Sequence, residues 1–401
     1  MYLKIINCRV CKSSKLDTFI DLGYSPLANN LSTSSKSKKY PLKVLICNKC
    51  KLTQLSISID KNILYKNYLY YSSYSKLFIN HAKKLSKEII SRFKPSSILE
   101  IGSNDGYLLR NFENKAKINY VAIDPAKNIY KEVIKKYKVD YVNKFFNFQT
   151  SELLKRKYGK FDVIIALNVL AHNHNINNIF RGIHNIAHKK TKIIIEVGYF
   201  FDLIKNKAFD TIYHEHYFYF SLTSISFLLE KNSLFLNDVM LLKNIHTGSF
   251  RAYISQKKHK SSRLKNILKT ESRYYLKNNK IYFFQKVIEN IRTSITELIL
   301  SNSSKTIFGY GAAAKSTVMI NFLNLNNIHI EYIIDKNINK VGYFTPGTKI
   351  KIESFDFLLS NKPDLILIFA WNFQKEIIKE VKSYYPKMKF LIPMPVPKII
   401  S

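Results

Sequence analysis

Residues 98–109, ILEIGSNDGYLL, limit the fold of this chain more than any other stretch. The apolar run through Ile101 has the length and composition of a buried strand. Gly102 and Gly106 follow within five residues, with Asp105 beside them. Glycine is scarce, eleven in 401 residues, so such a pair marks a point where φ is positive or backbone approaches a ligand. A helix is predicted to begin near Tyr107. In α/β sheets, ligands bind where such a turn leaves the carboxyl end of a strand.

The flanking sequence supports that reading. Short apolar runs recur at 97–101, 120–123, 162–167 and 192–197, separated by helical patterns, and a helical stretch at 75–93 precedes them. This alternation predicts a parallel sheet covered by helices on both faces. The G-x-x-x-G spacing departs from the dinucleotide G-x-G-x-x-G. The second strand ends in Asp124, whose carboxylate suits the two hydroxyls of a ribose. The run at 162–167 ends at Asn168 and His172 on the same edge. Turn, acid and polar strand end together predict a site for S-adenosylmethionine, formed by Glu100, Gly102, Asp105, Gly106, Asp124 and Asn168.

A charged block at 256–300, free of Gly and Pro, reads as a linker helix or helical pair. Beyond it a second alternation has apolar runs at 305–308, 330–334, 365–369 and 389–392. This predicts a second, smaller α/β unit of Rossmann type. Its turn, FGYGAAAKS at 308–316, carries Gly309, Tyr310, Gly311 and Lys315. Backbone amides at a helix start with a lysine nearby suit an anion. Walker A spacing is absent, and the third glycine of a dinucleotide turn is Ala314. The following strand ends in Asp335. A nicotinamide cofactor and a non-redox nucleotide contact both fit at this level.

All four cysteines lie in the first 50 residues, as Cys8-x2-Cys11 and Cys47-x2-Cys50. Two such knuckles supply four thiolates to one tetrahedral zinc, and four thiolates leave no open position for catalysis. Redox dithiols are the competing reading. Structural disulfides are disfavoured in an intracellular chain.

Residues 213–221, YHEHYFYFS, place two histidines and a carboxylate within three positions. Such groups are costly to bury without partners. Histidine also takes and returns protons near neutral pH. A base is the sharper reading; a surface loop or a His-Glu-His metal site is the alternative. The tyrosines at Tyr68, Tyr70, Tyr71 and Tyr74 read equally as interdomain packing. His246, Gly248, Ser249 and Arg251 read as a cleft loop or a strand connection.

The formal net charge of +36 is spread as lysine over every segment. Arginine, which dominates base readout, is scarce. The charge is therefore read as solvated faces, with some attraction for an anionic substrate such as a diphosphate and no nucleic-acid partner. No apolar run reaches the roughly 18 to 20 residues of a membrane span. The N-terminus lacks the apolar region of a secretory signal. A cytoplasmic protein is expected.

These motifs, in this order, resemble the C-methyltransferases that act on nucleotide-linked 4-keto deoxysugars. The resemblance spans essentially the whole chain. Cys8–Cys11, DLGYSPLANN at 21–30 and 47–55 match the zinc module. YLYYSSYS, the glycine turn, NVLAH at 168–172, YHEHYFYFS and HTGSFR follow. GYGAAAKS, IDKNINKVGYFTPGTKI and AWNF at 370–373 complete it. HTGS stands where the family has HGGS. The resemblance implies a zinc-binding domain over 1–75, a class I S-adenosylmethionine-dependent methyltransferase domain over 76–255, and a helical linker with a Rossmann-like sugar-nucleotide domain over 256–401. It implies His216 as base, oriented by Glu215 and assisted by Tyr213, His172 and Tyr71. It places His246, Ser249, Arg251, Gly309, Tyr310, Gly311, Lys315 and Asp335 around the sugar nucleotide.

Overall fold

The computed structural model describes residues 2–34, 36–64, 71–74, 76–112, 117–243, 245, 247–277, 281 and 283–401. The N-terminal module begins with β1 (Tyr2–Lys4), β2 (Leu16–Pro26), β3 (Lys39–Cys47), β4 (Thr53–Leu55) and β5 (Ile57–Ile59). β2, β3 and β4 form an antiparallel meander, and β1 pairs with β5. In β3, Tyr40, Leu42, Val44 and Ile46 alternate inward, the period of a sheet with one packed face.

The middle domain opens with the helix Lys76–Phe93, whose Phe78, Ala82, Leu85 and Ile89 form one buried stripe. It continues with β6 (Ser97–Ile101), β7 (Asn119–Ile123), β8 (Asp140–Val142), β9 (Phe161–Leu167), β10 (Ala187–Gly198), β11 (Phe218–Tyr219), β12 (Phe235–Leu242) and β13 (Ser249–Ser255). Seven of these form a sheet in the order β12-β13-β10-β9-β6-β7-β8. All four expected strands lie side by side and parallel. β12 and β13 add an antiparallel hairpin that the alternation did not announce. The chain leaves β6 toward β7 on one side and returns at β9 on the other. That reversal opens a crevice at the carboxyl end of β6. One expectation fails there. Among the described residues no α-helix starts at Tyr107; the turn runs into a short 3-10 segment, Leu109–Asn111.

The charged block is a helical pair, Ser262–Lys277 and Phe284–Leu300. The C-terminal domain comprises β14 (Ile307–Tyr310), β15 (Tyr332–Ile334), β16 (Lys351–Glu353), β17 (Leu365–Ile368), β18 (Lys389–Ile392) and β19 (Lys398–Ile400). Their order is β16-β15-β14-β17-β18-β19, parallel except for β19. This is a second reversal, at β14, as the Rossmann expectation required.

The domains interlock. β11 leaves the middle domain and pairs with β4 of the N-terminal sheet, Phe218 opposite Gln54. Phe19 of β2 stacks on Phe284 at 5.0 Å. Thr317 Oγ1 donates to Ala28 O at 3.0 Å. One apolar core therefore runs through all three units. Among the described residues, no helix is long and apolar enough to cross a membrane.

Candidate active site

The glycine turn sits at the carboxyl end of β6. Gly102 has φ +73°, and a Cβ there would lie 2.6 Å from Val169 Cγ2. The turn after β6 thus approaches the turn after β9 too closely for a side chain. Asp124 braces it from β7: Asn104 N–H donates to Oδ2 at 3.0 Å and Ala126 N–H to Oδ1 at 2.9 Å. Each carboxylate oxygen keeps one acceptor site for a ribose hydroxyl. Asp105 Oδ2 accepts from Ser73 N–H at 2.9 Å, while Oδ1 is buried with no partner among the described residues. An unspent buried acceptor at this turn fits the polar groups of S-adenosylmethionine. Asn168 closes the crevice at φ 54°, its N–H held by Glu196 O at 2.8 Å. Glu100 lies beneath the turn, 1% exposed, accepting from Tyr120 OH at 2.7 Å. Burial pushes its carboxyl up to about 8. It supports the turn from below rather than lining the crevice.

The YHEHYFYFS segment divides its side chains between two faces. His216 Nδ1 lies 2.9 Å from Thr211 O. A carbonyl only accepts, so Nδ1 carries the proton and Nε2 is left basic. Tyr213 OH then donates to Nε2 at 2.8 Å. His172, in the short turn Leu170–His172 that follows β9, meets the His216 ring edge-on at 4.8 Å between centroids. Burial pushes its imidazole down to about 4, so it is neutral at pH 7.

His214 and Glu215 turn toward the N-terminal module. His214 Nε2–H donates to Pro41 O at 3.2 Å. Glu215 is 4% exposed, and Asn29 Nδ2 donates to both its oxygens at 2.8 and 2.9 Å. The implied orienting role of Glu215 is therefore corrected. Thr211 O fixes the His216 ring, and Asn29 holds the carboxylate. Burial pushes Glu215 from an ordinary 4.5 up to about 7, opposed by the Asn29 bonds. The folded chain thus keeps a proton there that the unfolded chain releases, between about pH 4.5 and 7. This contribution is complete below the lower value and lost as pH rises through the upper one. Glu215→Gln removes the titration. Its stability relative to wild type should rise by up to roughly 3 kcal/mol between pH 5 and 8. Denaturant titrations at the two pH values check this; a pH-independent difference refutes it.

Other expected site residues are placed elsewhere. Tyr71 OH donates to Glu132 Oε1 at 3.0 Å, beside the cofactor turn rather than at His216. Tyr68, Tyr70 and His246 lie outside the described residues. Ser249 is fully buried, donating to Ile245 O at 3.3 Å. Arg251 is 4% exposed; Nε meets Glu196 at 2.6 Å and Nη1 meets Glu88 at 2.7 Å. Both are corrected from cleft contacts to supports of the β10–β13 edge, because their donors are already committed. Tyr310 is 4% exposed and packs in the core of the C-terminal sheet. A Cβ on Gly309 would lie 2.7 Å from Phe369. That glycine admits a neighbouring ring, not a ligand. Gly311 N–H is held by Ile334 O at 2.7 Å. Asp335 accepts from Ala312 N–H at 2.8 Å and meets Lys340 at 3.2 Å. It braces its turn as Asp124 braces the first.

Lys315 stays at the domain boundary, 3.4 Å from Asn372 Oδ1 and 5.2 Å above the Trp371 ring. Trp371 Nε1–H donates to Asp210 Oδ2 at 2.7 Å. Asn29, Asp210, Thr211 and Trp371 were not singled out from sequence. Two of them lie in quoted motifs, DLGYSPLANN and AWNF, but only folding brings them to the histidines.

The four cysteine sulfurs lie within 4.8 Å of one another. A tetrahedral Zn–S4 site has edges of about 3.8 Å, so the donor set fits one zinc. Lys12 and Lys51, each following a second cysteine, have φ of 65° and 59°. Each backbone folds back to its first cysteine, by Lys12 N–H to Cys8 O and Lys51 N–H to Cys47 O.

Class I methyltransferases that use S-adenosylmethionine are built on the strand order of the middle sheet, and a methyltransferase domain model matches residues 76–234. A zinc binding domain model matches residues 8–65, and the C-methyltransferase C-terminal domain model matches residues 244–395. The three matches follow one another along the chain in the order of its three units. The chain is 29% identical to the C-methyltransferase NovU of Streptomyces niveus over 99% of its own length and 97% of that protein. The plantazolicin methyltransferase BpumL in complex with SAH aligns at 13% identity and TM-score 0.36, over 44% of this chain and 82% of its own. An S-adenosylmethionine-dependent methyltransferase from Clostridium acetobutylicum aligns at 13% and 0.36, over 49% and 96%.

Proposed function

We propose that this chain methylates C3 of a nucleotide-linked 4-keto deoxysugar, with His216 removing the proton. One observation carries the reading. His216 has Nδ1 tied to a carbonyl and Nε2 basic, near the strand end that faces the cofactor turn. A ketone at C4 acidifies the C3 proton, and an imidazole with one unprotonated nitrogen can take it. Tyr213 OH gives up its bond to Nε2, whose lone pair then accepts the proton, and the C–H bonding pair is left as an enolate. S-adenosylmethionine, when bound, supplies the electrophilic methyl group to that carbon. His172, being neutral, does not repel the imidazolium that forms. Asp124 and Asn168 hold the donor; Lys315 faces the anionic end of the acceptor. No metal enters the step, since the zinc thiolates have no open position. The relative NovU bears the name C-methyltransferase, which agrees with carbon as the acceptor.

Incubation with S-adenosylmethionine and a panel of 4-keto deoxysugar nucleotides tests this. The expected product gains one methylene in mass, with the new methyl on carbon by NMR. A methyl on oxygen, or turnover needing a nicotinamide cofactor and no S-adenosylmethionine, refutes it.

A further inference from the structure

The base hangs from a very short element. Phe209–Thr211 is a three-residue 3-10 turn, and its last carbonyl holds His216 Nδ1. Its local bonds are Phe209 N–H to Lys207 O at 2.8 Å, Thr211 N–H to Ala208 O at 3.2 Å, Ile212 N–H to Phe209 O at 2.9 Å and Thr211 Oγ1–H to Ala208 O at 2.7 Å. It is held further from the C-terminal domain. Trp371 Nε1–H donates to Asp210 Oδ2, and Phe209 packs on Phe322 at 5.0 Å. Asp210 is fully buried, and Oδ1 has no partner among the described residues. Burial pushes its carboxyl up, opposed by the charge of Lys315, then by the indole, and less by the backbone N–H groups of Asp210 and Thr211. Without the indole, the carboxylate is left buried and under-paired. Such a group moves toward water, and it would take the adjoining Thr211 carbonyl with it.

We propose that Asp210 is a positioning residue through which the C-terminal domain sets the tautomer of His216, so that the base is armed only while Trp371 is seated. This rests on His216 being the base, as proposed above. It adds a control that the reaction alone does not require. The domain carrying the acceptor side of the cleft also prepares the proton acceptor on the other side. Separation of the two domains would release Nδ1 and disarm the enzyme toward water and stray electrophiles.

The test uses the full-length protein with selectively 15N-labelled histidine. Wild type should show His216 as the Nδ1–H tautomer, assigned by its absence from His216→Asn. Trp371→Phe and Asp210→Ala should each give a mixture with the Nε2–H form. Each should lower kcat about 20-fold with KM for S-adenosylmethionine within about twofold. Asp210→Asn keeps an oxygen for the indole and should stay within about threefold of wild type in kcat. Because Trp371 also packs, Asp210→Ala carries the test if Trp371→Phe does not fold. Wild-type tautomer and rate in the folded Asp210→Ala protein overturn the proposal. So does a loss in Asp210→Asn equal to that in Asp210→Ala with the tautomer unchanged, which would place the carboxylate charge on the substrate itself. The tautomer is read without acceptor, so a wrong sugar assignment leaves this readout intact.

Discussion

His216→Ala is expected to abolish washout of the C3 hydrogen of the acceptor into deuterium oxide, and to lower methyl transfer by about 10³-fold. Both effects have one cause. The imidazole is the group on this edge whose tautomer leaves a basic nitrogen, because Thr211 O occupies Nδ1–H and Tyr213 OH donates toward Nε2. His214 cannot replace it. Its Nε2–H is spent on Pro41 O, and burial holds its imidazole down at about 4. His172 is likewise depressed to about 4 and would be a weak base. Tyr213→Phe leaves Nε2 in place and should cost far less, about tenfold. Affinity for S-adenosylmethionine by calorimetry should change little in both variants, since the cofactor turn belongs to β6 and β7. Retained exchange in His216→Ala removes it as base. Lost transfer with retained exchange would separate proton removal from methyl capture.

The histidine segment also illustrates what was legible in the sequence. The parallel strands were readable because each contains a short, mostly apolar run, such as VIIAL in β9 and IIIEV in β10. The antiparallel hairpin β12–β13 was not, because FLNDVMLL carries polar residues that blur the alternation. The cysteine knuckles were legible because zinc needs four thiolates at set spacing. At the site, the residue types were visible but their pairings were not. Glu215 adjoins His216 in sequence, which suggested one functional unit. The two residues lie in a tight turn, however, closed by His216 N–H to Tyr213 O at 2.9 Å, from which their side chains diverge, and Glu215 faces Asn29, 186 residues away. Arg251 and Tyr310 misled for a related reason. Each lies in a strand, and its register turned it into the protein, toward Glu196 and Glu380 respectively. Local spacing finds turns and knuckles, whereas contacts between sheets depend on registers set only when three domains close on one core.

Removal of the zinc should abolish activity while leaving the methyl-donor site largely intact. The N-terminal module is small, and its sheet closes around the cysteines. Cys8, Cys47 and Cys50 are buried at 0, 0 and 3% exposure among Val10, Val44 and Leu52. Zinc supplies on the order of 10–16 kcal/mol to small domains of this kind, against roughly 5–15 kcal/mol for the net stability of a whole domain. The metal term alone therefore decides whether the module folds. Its loss reaches His216, the proposed base, by a traceable route. Arg9, within the first knuckle, lies 5.3 Å from the Tyr217 ring centroid and donates to Ser58 and Ile57. Leu55 N–H donates to Tyr217 O, and β4 holds β11. Asn29 binds Glu215. An unfolded module releases all of these from the segment that carries His216. Chelation, or Cys47→Ser, should therefore free one zinc per chain and lower methyl transfer more than about 100-fold, while affinity for S-adenosylmethionine changes less than about threefold. The contrast follows from topology: among the described residues, β6, β7 and β9, which frame the donor turn, pair only with one another and with β8 and β10. A chelated protein that still transfers methyl groups would show that the knuckles are dispensable to the base. A proportionate loss of donor binding would show that the two sites fold as a single unit.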